Sequence, residues 1–260
     1  LVGLVLYFFF GRNIKNTRMI SRRNKRRLLK NEAYRKIDYT RLAEELTDES
    51  VQQILLTHSL TGATYYPGNE IEIFTTGKEK FDAFIRDLKE AQSYIHLQYY
   101  IFENDNIGQT IKNLLIERSK AGVKVKVIYD HIGSIHVRNR FFKEMRQAGI
   151  EVYPFFKVTF TPFASRINWR NHRKLCIIDG KIGYIGGMNI ADRYINGVSY
   201  GVWRDTHLRI TGPAINALQY SFAVDWSFMG LPLIEEDIYS HPKKPTKGIG
   251  MQMATCGPTS

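Results

Sequence analysis

The chain has 260 residues, 43% hydrophobic and 13% aromatic, enough apolar material to bury one good core. Its net charge is +12, yet nine cations fall within residues 12–30 (Arg12, Lys15, Arg18, Arg22, Arg23, Lys25, Arg26, Arg27, Lys30) with no acid among them, which leaves about +3 for residues 31–260. A nucleic-acid binder spreads its charge along a groove among aromatics, so no nucleic-acid partner is expected, and two cysteines exclude a disulfide framework and fit a reducing compartment.

Residues 1–10 are nine apolar residues and one Gly, too few to cross a bilayer that needs about 20. Cations follow this run instead of preceding it, the reverse of a secretory signal, so residues 1–11 are expected to be the C-terminal end of a transmembrane helix. Residues 12–60 then form a basic juxtamembrane segment and linker on its cytoplasmic side. Leu28, Leu29, Ala33, Ile37, Leu42 and Leu46 give that arm an imperfect apolar side for lying on anionic lipid.

From residue 65 strand and helix patterns alternate. Phe81, Phe84, Ile85 and Leu88 predict a helix by their 3.6 period, and Tyr94 to Phe102 a buried strand. Ile107 to Lys120 reads as a helix closed by Gly122, Val123 to Tyr129 as a strand, Arg138 to Ala148 as a helix stopped by Gly149, and Ile150 to Phe155 as a strand. This β-α-β-α-β order predicts an α/β sandwich with a central sheet over residues 61–240. Pro213 leads into a helix from Ala214 to Met229, and Pro242 and Pro245 mark a linker. Of the histidines, His96 is expected in a buried strand, and His58, His131 and His136 in loops or at their edges. Cys176 reads as core packing.

Residues 172–189 carry the chemistry. His172, Lys174, Asp179, Gly186, Gly187 and Asn189 bring together a nucleophile or proton carrier, a fixed cation and a neutral donor, the needs of phosphodiester transfer without a metal. Lys174 to Ile178 is strand-like, so period 2 puts His172 and Lys174 on one face, and Asp179-Gly180 predicts a hairpin returning through Ile182 and Tyr184. The Gly186-Gly187 pair lets backbone approach a ligand. Chance gives on the order of 0.02 matches to H-x-K-x4-D in a chain of this composition. His241-Pro242-Lys243 meets H-x-K alone and reads as loop. No zinc spacing, carboxylate cluster or nucleotide-binding glycine loop is present, so neither a metal nor a cofactor is expected.

The motif resembles the signature of the phospholipase D superfamily, H-x-K-x4-D-x6-G-[GS]-x-N, at all six positions. Four surrounding stretches, residues 65–74, 95–102, 168–174 and 200–210, are similar to the superfamily's bacterial cardiolipin synthases. The resemblance implies a phospholipase D-like fold in which one histidine attacks the phosphorus of phosphatidylglycerol and a second phosphatidylglycerol takes the phosphatidyl group. It implies anionic membrane lipid as partner and the bacterial inner membrane as location, with the catalytic domain cytoplasmic. Lys174, Asn189 and Gly187 would hold the phosphate.

Such enzymes carry two motifs, whereas this chain has one. Residues 249–257 align with 69–77 at an offset of 180 (Thr75/Thr255, Gly77/Gly257), so residues 241–260 are expected to be a linker and the opening strand of a second catalytic half. A catalytic His needs an acceptor on its second nitrogen. Asp179 sits at the turn, roughly 16 Å of strand from Lys174, while Asp205 matches the carboxylate that two-motif members place about thirty residues past the His. The expectation assigns Asp205 to orienting His172 and Asp179 mainly to the hairpin, with an ion pair from Asp205 to Arg204 or Arg209 as the alternative. Tyr99, Tyr100, Phe155, Phe156, Phe160 and Phe163 would line an apolar approach that excludes water. A single-motif nuclease acting as a homodimer, a phospholipase, and a membrane module without activity remain alternative readings.

Overall fold

The computed structural model describes residues 42, 44–155, 157, 170–199, 201, 203–234 and 248–255. The apolar start, the basic segment, the linker prolines, His241, and Phe156, Phe160 and Phe163 lie outside the described residues. Among the described residues no helix is long and apolar enough to cross a membrane. The described residues divide into two compact units, one containing Glu72–Arg209 and one containing those from Leu42 to Ile71 and from Ile210 on, so the stretch expected as one catalytic domain contributes to both.

In the first unit, helix α2 (Gly77–Lys89) precedes β2 (Tyr94–Tyr99), α3 (Asn106–Lys120), β3 (Lys124–Asp130), α4 (Asn139–Gln147), β4 (Glu151–Phe155), β5 (Lys174–Ile178), β6 (Ile182–Gly186), the short α5 (Arg193–Asn196) and β7 (His207–Thr211). Every element expected between Phe81 and Tyr184 is present within a few residues. The strands run in the order β4-β3-β2-β5-β6-β7. β2, β3 and β4 are parallel neighbours, and β5 lies antiparallel to β2 and to β6, so the α/β fold with a mixed central sheet is as expected. Right-handed crossovers taken twice in one direction put α3 and α4 on one face.

Strand β2 is buried along its length. Its Ile95, Leu97 and Tyr99 face a core built from Phe81, Phe84, Leu88, Ile111, Leu115, Val127 and Met145. Each such side chain contributes about 1.5–3 kcal/mol by leaving water, which makes β2 the fixed element against which β5 registers. Pairing of Leu97 with Cys176 and of Tyr99 with Lys174 sets Lys174 at the end of the same face, with Cys176 deeper in the core.

One residue on that face breaks the pattern of its helix. Lys80 is 0% exposed, its Nζ has no hydrogen-bond partner, and it lies 3.8, 4.4 and 5.1 Å from the ring centres of Phe81, Phe84 and Tyr99. Asp87, on the same helix, is taken by Tyr184 Oη at 2.5 Å and Arg209 Nε at 2.6 Å. Burial pushes the Lys80 amine well below its ordinary pKa. The unfolded chain therefore holds this proton more tightly than the fold does, and stability from this site rises as pH rises toward 10.5. Lys80→Met is expected to raise the melting temperature at pH 7 by roughly 2–8 °C, with a smaller gain at pH 9; equal gains at both would contradict a neutral Lys80.

The second unit holds α1 (Asp48–Thr61), most of β1 (Tyr65–Phe74), α6 (Ile215–Phe228) and β8 (Ile249–Gln252). Thr47 caps α1 by accepting from Ser50 N at 3.4 Å, so this part of the expected linker is helical. His58 lies in its last turn, not in a loop, with Nδ1 3.0 Å from Ala63 O. Thr47 is a good helix-starting residue and neither Gly nor Pro interrupts 48–61, which explains the helix. β8 pairs antiparallel with β1, and Asn69 joins three segments by donating to Tyr66 O (2.6 Å) and Ile249 O (3.0 Å) and accepting from Ala214 N (2.8 Å).

Candidate active site

The site forms where β2 and β3 end and β5 begins. β5 starts at Lys174, so His172 stands just before the strand, exposed. Its ring stacks on Tyr100, with centroids 3.9 Å apart. Lys174 is buried, donates from Nζ to His172 O at 2.6 Å and lies 5.3 Å from the Tyr100 ring centre. Tyr100 thus gathers the histidine and the lysine that period 2 put on one face.

A residue that the sequence reading did not single out holds His172 in place. Asp130, 1% exposed at the end of β3, accepts from Ile132 N and Gly133 N at 2.9 Å and from Asn171 N at 3.1 Å. Its other contact is Arg170 at 3.5 Å. It therefore clamps the two residues leading into His172. Partial desolvation lowers the His172 pKa, the charge on Lys174 lowers it further, and Asp130 acts against both. The ring is neutral and nucleophilic at neutral pH. Asp130→Asn keeps one acceptor oxygen and loses the charge, so we expect turnover in the full-length protein to fall on the order of 10²-fold and His172 to titrate at still lower pH by NMR. An unchanged titration would contradict this role.

Asp179 lies at the hairpin tip with φ 53°, followed by Gly180 at 64°, the paired positive angles of a tight two-residue turn. Its carboxylate accepts from Gln92 N (2.8 Å), Ser93 N (2.7 Å) and Tyr94 N (2.8 Å), which ties the hairpin to the start of β2, at the other end of β5 from His172.

The double glycine serves a close approach of β7. A Cβ on Gly186 would come within 2.5 Å of His207 Cα, and one on Gly187 within 2.0 Å of Asp205 Oδ1. Gly187 N donates to Thr206 O at 2.9 Å, so its N–H serves that approach. Asp205 accepts from Thr206 N at 2.7 Å and makes no hydrogen bond to His172 among the described residues. Its charge instead raises the pKa of Lys174, which burial lowers. Asn189 is committed at both ends of its amide, accepting from Ile101 N at 3.0 Å and donating to Tyr194 Oη at 2.8 Å. One amide hydrogen makes no hydrogen bond among the described residues.

His207 is fully buried below this layer with neither ring nitrogen hydrogen-bonded; burial above all pushes its imidazole well below the ordinary range. His96 is buried on β2 with its ring centre 4.7 Å from that of Tyr94. Of the expected aromatic approach, Tyr99 and Phe155 are core residues and Tyr100 touches the histidine. Among the described residues no group of three or more His, Cys, Asp or Glu could hold a metal ion.

The site thus sets an exposed imidazole beside a buried lysine at the ends of central strands of a mixed sheet, with a glycine pair beyond. The chain belongs to the family described as cardiolipin synthase, PLD-like domain, whose model matches residues 84–217. It is similar to the major cardiolipin synthase ClsA of Bacillus subtilis, 35% identical over 271 residues that cover 100% of this chain and 56% of that protein. It is also similar to the cardiolipin synthase of Oceanobacillus iheyensis, 38% identical over 272 residues with the same coverage of each. The chain thus spans about half the length of the curated relatives it matches. A solved phosphatidylserine synthase from Haemophilus influenzae shares the fold, with a TM-score of 0.50 and 15% identity over 67% of this chain and 41% of that one.

Proposed function

We propose that this chain is the first catalytic half of a cardiolipin synthase that moves a phosphatidyl group from one phosphatidylglycerol to another. The observation that supports this most is similarity along the whole chain, at 35–38% identity, to proteins named cardiolipin synthase, with His172 and Lys174 placed together. The reaction proceeds in two displacements. A neutral imidazole, here His172 or its counterpart in a second half, attacks phosphorus, and the P–O bond to glycerol breaks. The other half's histidine gives its proton to the departing glycerol. A primary hydroxyl of the second phosphatidylglycerol then attacks the phosphohistidine, returning its proton to that same base, and cardiolipin leaves. Lys174 and the free amide hydrogen of Asn189 hold the phosphate oxygens as charge builds on them. Asp130 aims His172, Asp205 keeps Lys174 charged and is the candidate acceptor for His172 once substrate is bound, and Asp179 holds the hairpin.

In this reading residues 1–11 end a transmembrane helix of the bacterial inner membrane, residues 12–30 lie on its anionic cytoplasmic surface, and residues 241–260 lead into the second half. Expression of the full-length protein in a bacterium lacking its own synthases tests the activity: cardiolipin should appear in the lipid extract, and its absence would refute the proposal. Deleting residues 1–30 removes the apolar run and nine cations, each contributing about 1 kcal/mol near an anionic surface. The deletion should release the protein from vesicles at moderate salt in a sedimentation assay; complete retention would reveal another lipid-binding surface.

A further inference from the structure

A cleft of about 410 Å³ opens beside the catalytic edge, with Glu103, Asn104, Asp105, His136, Arg138 and Arg193 in its lining. It adjoins the site through the backbone. Glu103 N donates to Ile190 O at 3.0 Å, next to the Phe102–Ile190 bridge, and Asn189 holds Ile101 N. Tyr100, against which His172 stacks, is three residues earlier, about 10 Å of extended chain.

The charges in the cleft are unevenly satisfied. Asp105 is occupied by backbone donors, Gly108 N at 3.0 Å and Asp192 N at 2.6 Å. Arg138 and Arg193 have no carboxylate partner among the described residues. Arg193 lies over two rings, 5.9 Å from the centre of Tyr194 and 5.8 Å from that of Trp203, and its buried Nε has no hydrogen-bond partner. A guanidinium fixed by aromatic faces with donors to spare is prepared for a phosphate. Glu103 adds an acceptor and Asn104, whose Oδ1 already accepts from Gln109 Nε2, an amide donor, both suited to hydroxyl groups.

We propose that this cleft binds the headgroup of the acceptor lipid, with Arg138 and Arg193 on its phosphodiester and Glu103 and Asn104 on its secondary hydroxyl; the proposal rests on the phosphatidyl-transfer reading. The acceptor's own phosphate does not react, so it needs a seat apart from Lys174. A seat further along the chain that carries Tyr100 keeps that phosphate apart from Lys174 and leaves the terminal hydroxyl free to attack the phosphohistidine. Without a seated acceptor, water attacks the phosphohistidine instead and the product is phosphatidic acid.

The test uses the purified full-length protein with phosphatidylglycerol in mixed micelles, measuring glycerol, cardiolipin and phosphatidic acid together. In Arg138→Gln/Arg193→Gln, and to a lesser degree in each single variant, the ratio of cardiolipin to phosphatidic acid should fall about tenfold or more, while glycerol release changes by less than about threefold. Glycerol and cardiolipin falling in parallel would place the donor in the cleft and overturn the proposal, as would an unchanged ratio. Neither result touches the phosphatidyl-transfer reading. A wild-type protein that makes no cardiolipin would remove that reading and the acceptor seat with it.

Discussion

Replacing His172 by Ala in the full-length protein is expected to lower cardiolipin formation by on the order of 10⁴-fold or more while leaving the melting temperature nearly unchanged. The two outcomes separate because the ring is exposed and, among the described residues, stacks on Tyr100 alone, so its removal opens no core cavity. Lys174→Ala should be nearly as inactive, but less stable, because Lys174 is 8% exposed and bonds back to His172 O. Lipid extracts of the deficient strain carrying each variant give the activity, and calorimetry of the purified proteins gives the stability. Wild-type levels of cardiolipin from His172→Ala would rule this histidine out.

The second large effect is expected at the two aspartates, and it differs in kind between them. Asp205→Asn removes the charge that offsets the burial of Lys174, so turnover should fall on the order of 10²-fold with the fold intact. Lys174 then loses its proton at lower pH, because Asp205 is what raises its pKa, and the alkaline limb of the pH–rate profile moves down. If Asp205 acts on His172 instead, the acid limb moves, since loss of an acceptor lowers the imidazole pKa. Asp179→Asn has one acceptor oxygen for three backbone N–H groups. It should lose about 2–4 kcal/mol and with it roughly 4–12 °C of melting temperature. A stable, inactive Asp179→Asn beside an active Asp205→Asn would reverse the two roles.

What could be read in the sequence was what is local in it. The 3.6 period of Phe81, Phe84 and Leu88 and the glycine stops at Gly122 and Gly149 marked elements that the fold contains. His172, Lys174 and Gly186-Gly187 sit within sixteen residues, so their spacing carried the chemistry. The Asp179 turn was visible in the same way, but not the partners of its carboxylate, which lie 85–87 residues away. Asp130 was missed because its work is done across the sheet, 41 residues from Asn171. An acid ending the apolar run Val-Ile-Tyr-Asp was nonetheless a usable signal, since ligands gather at the carboxyl ends of parallel strands.

Other features depend on directions that spacing does not encode. Lys80 precedes Phe81 as an ordinary surface lysine would, and only the packing of α2 against Tyr99 turns it inward. Nothing in Gly-Gly-x-Asn says that the Asn189 amide spends itself on Ile101 and Tyr194. Helix α1 was hidden because Leu55, Leu56 and Leu60 point to solvent, which blurs its apolar stripe.

The most direct test of phosphatidyl transfer is the product balance of the purified full-length protein given phosphatidylglycerol alone, in buffer containing EDTA. Two substrate molecules become one cardiolipin and one glycerol, so the two products should appear in equal amounts, with little phosphatidic acid and no loss of rate to the chelator. Glycerol released together with an equal amount of phosphatidic acid, and no cardiolipin, would make the protein a phospholipase and contradict the transfer reaction proposed for it.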